Sequence, residues 1–276
     1  MILLNNKRVN FGRFPNGETN LNFNQLDIYP RSEITLKFES DQDLFNLYIL
    51  KAHIDQVAPM AMPSLTILYM PYSRMDRPNQ YYTFNLKFVC AFINDMLFYQ
   101  VKVYEPHSDV TTALLDRCMT ESPASDLFRA FRPLTDRGED LVVMFPDAGA
   151  EKRYGSTFCY PTVVGHKSRD FGDGKITSMT VSGADVKGKT VVIIDDLCSK
   201  GGTFVAAAKA LKEQGALVVF LVVTHCENTV FDGVIFDHIE KVFTTNSILD
   251  EARVRTSPLA HRFHITPLYK EIPANA

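Results

Sequence analysis

Two adjacent carboxylates stand at the end of an apolar run, in the segment from 191 to 203 (VVIIDDLCSKGGT). Asp195 and Asp196 are followed by a loop of small residues and then by a helical pattern. Carboxylates accept hydrogen bonds from sugar hydroxyls, and the backbone N–H groups of such a loop bind an anion at a helix N-terminus. The segment therefore predicts a cradle for a sugar phosphate. The residues expected in its loop are Ser199, Lys200, Gly201, Gly202 and Thr203.

A simpler interpretation of this segment is a tight strand-to-helix turn in which Asp196 merely caps the helix. That interpretation gives no reason for two acids before a Gly-Gly-Thr turn, so we favour the cradle. A P-loop is excluded, because the pattern GxxxxGK[ST] does not occur in the chain.

The elements that must position these residues alternate between short apolar runs and longer helical patterns. This alternation is typical of parallel α/β folds, in which ligands bind at the carboxyl ends of the strands. Strands are predicted at 65–70, 101–104, 141–145, 190–194, 217–223 and 241–244. Helices are predicted at 41–57, 84–99, 109–119 and 203–214. Gly215 is expected in the C′ position of the last helix.

The charged segment 128–140, which contains Pro133 and Gly138, is the predicted boundary between two halves of similar size. We therefore expect an N-terminal α/β half at 1–135 and a C-terminal α/β half at 136–276. Polar turns follow strands in both halves, and this concentration marks the expected active face.

Composition excludes several classes of protein. The chain of 276 residues has 29 basic and 32 acidic residues, so a broad basic surface for nucleic acid is not expected. Its five cysteines are dispersed, without a CxxC pair, which predicts free thiols in a reducing compartment. The chain contains no stretch of about 18 apolar residues, so no membrane span is predicted. Its N-terminus has no apolar run of the length of a signal peptide. We expect a cytoplasmic protein.

The 191–203 segment resembles the phosphoribosyl-diphosphate-binding motif of type I phosphoribosyltransferases and ribose-phosphate pyrophosphokinases. Four further segments match the pyrophosphokinases in order and approximate spacing, from about Phe11 to the closing FHITPLY at 263–269. They are RFPNGE at 13–18, PYSRMDR at 71–77, PDAGAEKR at 146–153 and KSR at 167–169. The resemblance implies two flavodoxin-like, phosphoribosyltransferase-type parallel-sheet halves related by a pseudo-twofold, with the active site in the cleft between them.

The same resemblance implies an ATP site in the N-terminal half. The residues it places there are Phe14, Asn16, Glu18, Arg74, Met75, Asp76, Arg77 and His107. Arg74 and Arg77 suit the phosphates, because a guanidinium binds them through two parallel hydrogen bonds. Phe14 would lie near the adenine, across a subunit boundary of a homo-oligomer. A surface ion pair between Arg74 and Asp76 is the alternative.

His107 and Asp147 resemble the metal-site residues of the family. Mg²⁺ held mainly by ATP oxygens and water needs few protein ligands, so two such residues would suffice. A histidine satisfied inside the core is the alternative for His107.

Lys167 and Arg169 fall in a stretch from 165 to 183 that is rich in Gly, Ser and charge, which predicts a mobile loop. The family carries a catalytic flexible loop with a Lys-x-Arg pair at this place. With Arg74, these two cations are the expected catalytic residues, because they would neutralise charge on the transferred group. Without the resemblance, such a pair would be interpreted as solvated surface.

Three features depart from the family pattern. About ten residues precede Arg13, where the family has a strand and a helix, so that opening unit is missing or reduced. Met75 stands where glutamine is common, and Ser199-Lys200 replaces Asp-Thr or Ser-Thr. The added cation of Lys200 would suit an acceptor with more than one phosphate, such as ADP-ribose. Alternatively, Lys200 points to solvent.

The expected reaction transfers the β,γ-diphosphoryl group of Mg-ATP to the anomeric C1 hydroxyl of a ribose-5-phosphate moiety and releases AMP. The acceptor would be ribose 5-phosphate or ADP-ribose. Two other classes stay open. A type I phosphoribosyltransferase would need a base-binding hood, which no segment obviously supplies. A catalytically silent subunit that associates with active synthetases would have lost catalytic residues, whereas Lys167, Arg169 and His107 are present.

Overall fold

A computed structural model of the chain describes residues 1–22, 26–78, 80–135, 141–169 and 176–272. It contains two compact units, of which unit 1 comprises Met1–Ser122 with the chain from Leu268, and unit 2 comprises Pro123–Pro267. The boundary expected from the sequence, between 135 and 136, adjoins residues 136–140, which lie outside the described residues. The domain assignment at 1–135 and 136–276 stays a prediction.

Unit 1 is built on a sheet whose strands follow the order β2-β1-β5-β6-β7-β8. Its strands are β1 (Ile2–Leu4), β2 (Lys7–Arg8), β3 (Phe11–Arg13), β4 (Thr19–Leu21), β5 (Glu33–Leu36), β6 (Ser64–Ile67), β7 (Val101–Tyr104) and β8 (Cys118–Glu121). Its helices are α1 (Gln42–Val57), α2 (Asn85–Asp95) and α3 (Val110–Leu114). Strands β5 to β8 are parallel, whereas β3 and β4 form a separate antiparallel hairpin.

The core of unit 1 follows from helical and strand periodicity. Leu47, Leu50 and Ile54 of α1 recur at three- and four-residue spacing and are fully buried. Leu65 and Ile67 of β6 belong to the same apolar cluster. Strand β7 has the predicted bounds, β6 ends at Ile67 rather than at the predicted residue 70, and α1 agrees with the helix predicted at 41–57.

The helix predicted at 109–119 is wrong at its C-terminal end. Helix α3 ends at Leu114, and Cys118–Glu121 forms the edge strand β8, which pairs in parallel with β7. Arg117 adopts a positive φ of 53°, so the chain turns between the two elements. Pairing with β7 supplies backbone hydrogen bonds that the apolar spacing of the sequence does not reveal.

Unit 2 is built on a larger sheet whose strands follow the order β11-β10-β9-β12-β13-β14-β15. Its strands are β9 (Leu141–Phe145), β10 (Thr162–Arg169), β11 (Ile176–Gly183), β12 (Thr190–Cys198), β13 (Val218–Cys226), β14 (Val242–Thr245) and β15 (Phe263–Thr266). Its helices are α4 (Ala124–Phe131), α5 (Ala148–Tyr154), α6 (Gly202–Glu213) and α7 (Glu251–Thr256). Short 3-10 helices lie at Arg132–Thr135, Asn228–Asp232, Ile235–Asp237 and Ala260–Arg262. All pairings are parallel except that of β10 with β11.

Helix α4 occupies the start of the segment that was expected to separate the two halves. Phe131 is fully buried, and its ring centroid lies 5.2 Å from that of Phe220 and 5.5 Å from that of Phe243. These aromatic contacts pack α4 against β13 and β14. The helix is therefore part of unit 2.

Strand β12 is paired unequally along its nine residues. Strand β9 pairs with it over Thr190–Ile193, whereas β13 pairs with it as far as Cys198. This longer strand carries Asp195 and Asp196 past the carboxyl end of β9.

Helix α6 ends as the sequence predicts. Gly215 has a φ of +90°, its N–H donates to the carbonyl of Lys212, and the N–H of Ala216 donates to the carbonyl of Leu211. These two bonds form a Schellman motif with glycine at C′.

No helix in the described part of the chain is long and apolar enough to cross a membrane. The five cysteines are free, in agreement with the expectation of free thiols.

Candidate functional site

A glycine ends the loop that connects β12 to α6. Gly201 is the N-cap of α6 and has a φ of +81°, a left-handed conformation that glycine adopts without strain. A Cβ at this position would lie 2.7 Å from Cδ1 of Ile235, so a larger residue would also clash. A Cβ at Gly202 would meet open space. The start of this 12-residue helix is thus accessible to a ligand.

The two acids are brought to the start of this loop. Asp196 is 5% exposed, and its Oδ2 lies 3.4 Å from Nη1 of Arg153 on α5. In the described residues no side chain caps α6, which excludes the interpretation that Asp196 is its cap.

Asp195 has a different environment from its neighbour. The backbone N–H of Asp196 donates to Oδ1 of Asp195 at 3.0 Å. Burial raises the pKa of Asp195 to about 8, with a further contribution from the negative charge of Asp196 and a smaller one from Asp147. Asp195 therefore carries a proton at neutral pH, whereas Asp196 is the acid that is paired with a cation.

Asp147 follows β9 and begins α5. Its Oδ1 accepts hydrogen bonds from the backbone N–H groups of Gly149 and Ala150, both at 3.0 Å, and its Oδ2 lies 2.7 Å from Nζ of Lys167. Burial raises the pKa of Asp147, but the hydrogen bonds from Lys167 and the two amides outweigh it, so the pKa lies below its ordinary value. Asp147 is ionised in this arrangement.

Lys167 lies on a strand, so the expectation of a mobile loop over 165–183 is wrong for the described part of that stretch. Strands β10 and β11 form an antiparallel ladder there, in which Lys167 is opposite Met179. The backbone hydrogen bonds of this ladder override the loop signal of the Gly and Ser content. Residues 170–175 lie outside the described residues. Arg169 ends β10, and its backbone lies opposite Ile176. Its side chain is not among the parts that the structure describes.

Sheet order explains why Asp147, Lys167 and the two acids of β12 lie close together. Strand β9 lies between β10 and β12, and all three run parallel, so their carboxyl ends reach the same edge. Asp147 follows β9, Lys167 lies on β10, and the acid pair lies on β12. The structure thus brings four predicted residues of unit 2, on or after three strands, into one charged group.

The segment after β13, which sequence reasoning missed, supports the loop at 199–203. The hydroxyls of Ser199 and Thr229 lie 3.0 Å apart, and Thr229 donates to Oε2 of Glu227 at 3.1 Å. A Cβ on Gly233 would clash with the carbonyl of Lys200, so glycine is required for this close approach. The polar residues directly after β13 are the signal that could have indicated this segment. Lys200 itself is exposed.

In unit 1, the predicted nucleotide segment follows β6. Tyr72 has a φ of +60°, and such strain in a residue other than glycine is enriched at functional sites. Arg77 Nε lies 3.0 Å from Oδ1 of Asp76, so an ion pair in this segment joins Asp76 to Arg77. The hydrogen bond from Arg77 lowers the pKa of Asp76, against an opposing effect of burial. Arg74 is exposed.

His107 follows β7, the strand next to β6 in the sheet. It is exposed, which excludes the interpretation of a core histidine. The nearby Glu105 is 4% exposed, has a φ of +35° and accepts a hydrogen bond from Ser122. Like Tyr72, Glu105 is a strained residue at the carboxyl end of a parallel strand.

The hairpin of β3 and β4 carries the residues expected at the base and ribose of a nucleotide. The N–H of Phe14 donates to the carbonyl of Glu18, and the N–H of Glu18 donates to Oδ1 of Asn16. Gly17 completes the turn with a φ of +89°. The Phe14 side chain is 51% exposed and can stack on a planar ring. Met75, which is predicted in the ATP site, lies outside this hairpin and accepts a long contact from Asn85 Nδ2 at 3.7 Å.

The described residues contain no group of three or more His, Cys, Asp or Glu side chains that could hold a metal ion.

Comparison with a solved structure identifies the fold. The crystal structure of phosphoribosylpyrophosphate synthetase from Mycobacterium smegmatis matches with a TM-score of 0.76 and 21% sequence identity, over 95% of this chain and 86% of that chain. Two α/β units on largely parallel sheets agree with this match. The predicted phosphoribosyltransferase-type fold is confirmed.

Sequence comparison then identifies the family. The Phosphoribosyl synthetase-associated domain matches residues 172–271. The ribose-phosphate pyrophosphokinase of Xanthomonas axonopodis pv. citri is 31% identical over 246 residues, which are 80% of this chain and 68% of that protein. That of Methanopyrus kandleri is 32% identical over 162 residues, which are 57% of this chain and about half (54%) of that protein. The chain belongs to the ribose-phosphate pyrophosphokinase family, whose members are diphosphotransferases.

Proposed function

We propose that the protein transfers the β,γ-diphosphoryl group of Mg-ATP to the anomeric hydroxyl of a ribose-5-phosphate moiety and releases AMP. The observation that carries this proposal is the junction of β12 and α6. There a pair of acids and a helix N-terminus with a glycine N-cap lie in one short segment, 195–203. A sugar phosphate has the complementary pair of groups, hydroxyls at one end and an anion at the other.

At the acceptor end, Asp196 would accept hydrogen bonds from ribose hydroxyls, and the protonated Asp195 would donate one. The backbone N–H groups from Lys200 to Thr203 would bind the 5-phosphate at the start of α6. In the described arrangement the hydroxyls of Ser199 and Thr229 bond to each other, so phosphate binding would require the Ser199 hydroxyl to turn.

The chemistry of the donors present suits Mg²⁺, although the protein supplies only a few of them. Asp147 is an ionised carboxylate and His107 an exposed imidazole, and a hard cation bound mainly through nucleotide oxygens needs few protein ligands. We assign these two residues to the cation. When bound, Mg²⁺ would neutralise phosphate charge and orient the β-phosphorus for attack.

The cations of the protein would complete the site. Arg74 would bind ATP phosphates through its guanidinium, and Arg77, although paired with Asp76, is exposed enough to join it. Lys167 and Arg169 would neutralise the charge that develops on the transferred group. For Lys167 the nucleotide would share its ammonium with Asp147 or displace that carboxylate.

The exposed hairpin supports a nucleotide site that a second subunit helps to form. Phe14, Asn16 and Glu18 lie at its tip, where their side chains are exposed. We assign the adenine and ribose of ATP to these residues, and a homo-oligomer whose ATP site lies near a subunit boundary. The dispersed free cysteines support a cytoplasmic location.

The acceptor is ribose 5-phosphate or ADP-ribose. Lys200 is exposed beside the phosphate loop, so its ammonium is available to a second phosphate. A contact of this kind would suit ADP-ribose, which would yield ADP-ribose 1-diphosphate. Ribose 5-phosphate would yield phosphoribosyl diphosphate.

One assay separates these functions. AMP formation from ATP is measured with ribose 5-phosphate, with ADP-ribose and with no acceptor. Acceptor-dependent AMP supports the proposal, and the faster acceptor identifies the substrate. A type I phosphoribosyltransferase would form no AMP but would consume phosphoribosyl diphosphate and a base. A silent subunit would do neither, and would change the rate of an active synthetase that is added to it.

A further inference from the structure

A cation on α5 reaches the acid that we assign to the ribose of the acceptor. Nη1 of Arg153 lies 3.4 Å from Oδ2 of Asp196. The side chain of Asp196 is 8% exposed and that of Arg153 is 30% exposed. An ionised carboxylate with so little access to water depends on its charge partner, whereas a surface pair contributes little.

Helix α5 links this contact to the other acid of the site. Asp147 is its N-cap, and Arg153 lies in its last turn, where the helix dipole favours a cation. The helix spans seven residues, so its backbone fixes the position of Arg153 relative to Asp147. Residues at both ends of one short helix therefore hold groups at the carboxyl edge of the sheet.

The placement of Arg153 distinguishes between two neighbouring acids. Two carboxylates side by side cannot both be ionised without repulsion, and a cation next to one of them favours the charge there. The guanidinium contacts Asp196, while Asp195 accepts the backbone N–H of Asp196. Asp196 is thereby kept as a hydrogen-bond acceptor.

We propose that Arg153 is a positioning residue for the sugar acceptor. Its guanidinium holds the carboxylate of Asp196 in the orientation and charge state that accept hydrogen bonds from ribose hydroxyls. This inference rests on the proposed function. Because Arg153 acts through Asp196, its loss should weaken binding of the acceptor and leave binding of ATP unchanged.

The test compares Arg153→Gln with Arg153→Lys and with the control Lys152→Gln. Lys152 is exposed on the same helix, so its substitution removes a neighbouring positive charge without touching Asp196. Ribose 5-phosphate and, in parallel, ADP-ribose are titrated by calorimetry without nucleotide, and KM values for acceptor and ATP are measured from AMP formation. We expect Arg153→Gln to raise the acceptor Kd and KM at least tenfold, with the KM for ATP within twofold. Arg153→Lys should recover most of the loss, and Lys152→Gln should match the wild type.

A double-mutant cycle with Asp196→Asn gives a second measurement. Once Asp196 has lost its charge, Arg153→Gln should add less than twofold to the acceptor Kd, because the two residues act as one unit. Additive losses, an unchanged Kd in Arg153→Gln, or an equal rise in the KM for ATP would each overturn the inference. Thermal unfolding shows whether Arg153→Gln is folded. If it is not folded, the acceptor Kd of Arg153→Lys and its double-mutant cycle with Asp196→Asn test the inference instead.

Failure of the proposed function gives a different result. If the wild type neither binds the two acceptors nor forms AMP with them, the proposed function fails, and the inference fails with it. If the wild type binds an acceptor and Arg153→Gln binds it equally well, the role of Arg153 alone is overturned.

Discussion

Nζ of Lys167 lies 2.7 Å from Oδ2 of Asp147, and the two residues are 20 positions apart in the chain. The lysine is 14% exposed in this contact, so its charge is largely withdrawn from solvent. An ammonium has three hydrogens, and that of Lys167 donates to Asp147. If Lys167 binds a nucleotide phosphate, as we propose, that phosphate would share the ammonium with Asp147 or displace the carboxylate.

Substitution of Lys167 should affect turnover more than ATP affinity. We expect Lys167→Ala to lower kcat by about 100-fold or more with a modest change in the KM for ATP, because this cation acts mainly in the transition state. Arg169→Ala should behave in the same way. Steady-state AMP formation measures both effects. Lys209→Ala, which removes an exposed cation from α6, is the control. Near-normal turnover in both variants would contradict the assignment.

Lys200 should select the acceptor. A charge-assisted contact to phosphate contributes about 1.5–3 kcal/mol, which corresponds to roughly a ten- to hundredfold preference. If Lys200 binds a second phosphate, Lys200→Thr should lower kcat/KM for ADP-ribose by about that factor and affect ribose 5-phosphate less. Equal losses for both acceptors would place Lys200 at the 5-phosphate. No loss for either would show that it faces solvent.

Asp195 should make the stability of the protein depend on pH. Its pKa is about 8 in the folded protein, against an ordinary value of 3.8. Between these values the folded state holds a proton that the unfolded state has lost, so stability falls as pH rises from about 4 to about 8 and then levels off. The free energy of unfolding should decrease by about 2 kcal/mol between pH 6 and pH 8 from this group.

The contribution of Asp195 can be isolated by a difference. Urea unfolding at pH 6, 7 and 8 is measured for the wild type and for Asp195→Asn at constant ionic strength. Since the amide does not titrate, the difference between the two proteins should follow the predicted decline. A constant difference across this range would show that Asp195 is ionised throughout.

Two adjacent glycines should respond oppositely to alanine. Gly201→Ala places a Cβ on a residue with positive φ and against Ile235, so we expect a loss of about 2–4 kcal/mol in the free energy of unfolding. Gly202→Ala places its Cβ in open space at the start of α6, so stability should be unchanged or slightly higher. Chemical denaturation of both variants checks this. Equal losses at the two positions would show that the left-handed conformation of Gly201 is not what requires glycine.

Local patterns predicted part of this fold well. Strand β9 agrees with the predicted bounds because its five residues form a continuous buried run between polar segments. Strand β12 extends four residues beyond its prediction, since pairing with β13 continues through polar positions that hydrophobicity cannot mark. Strands β10 and β11 were missed because a ladder between two polar, glycine-containing segments has little apolar signal.

The candidate site also combines residues that the local sequence places together with contacts that it does not predict. The acids and small residues of 195–203 are adjacent in sequence, so their proximity could be predicted directly, whereas their chemistry stays a prediction. The contact of Arg153 with Asp196 joins residues 43 positions apart, and that of Ser199 with Thr229 joins residues 30 apart. Contacts of this kind depend on sheet order and register, which a single sequence does not specify.

The unequal pairing of β12 has a consequence for hydrogen exchange. As far as Ile193 the strand is flanked by β9 and β13, and exchange there requires opening of the sheet as a whole. Beyond that point the ladder continues with β13, and a two-stranded ribbon twists and opens more easily than the middle of a sheet. Amide protection should therefore fall in a step between Ile193 and Leu197. The acids of the site lie on the part of the strand that can change its twist while the sheet beneath it stays intact.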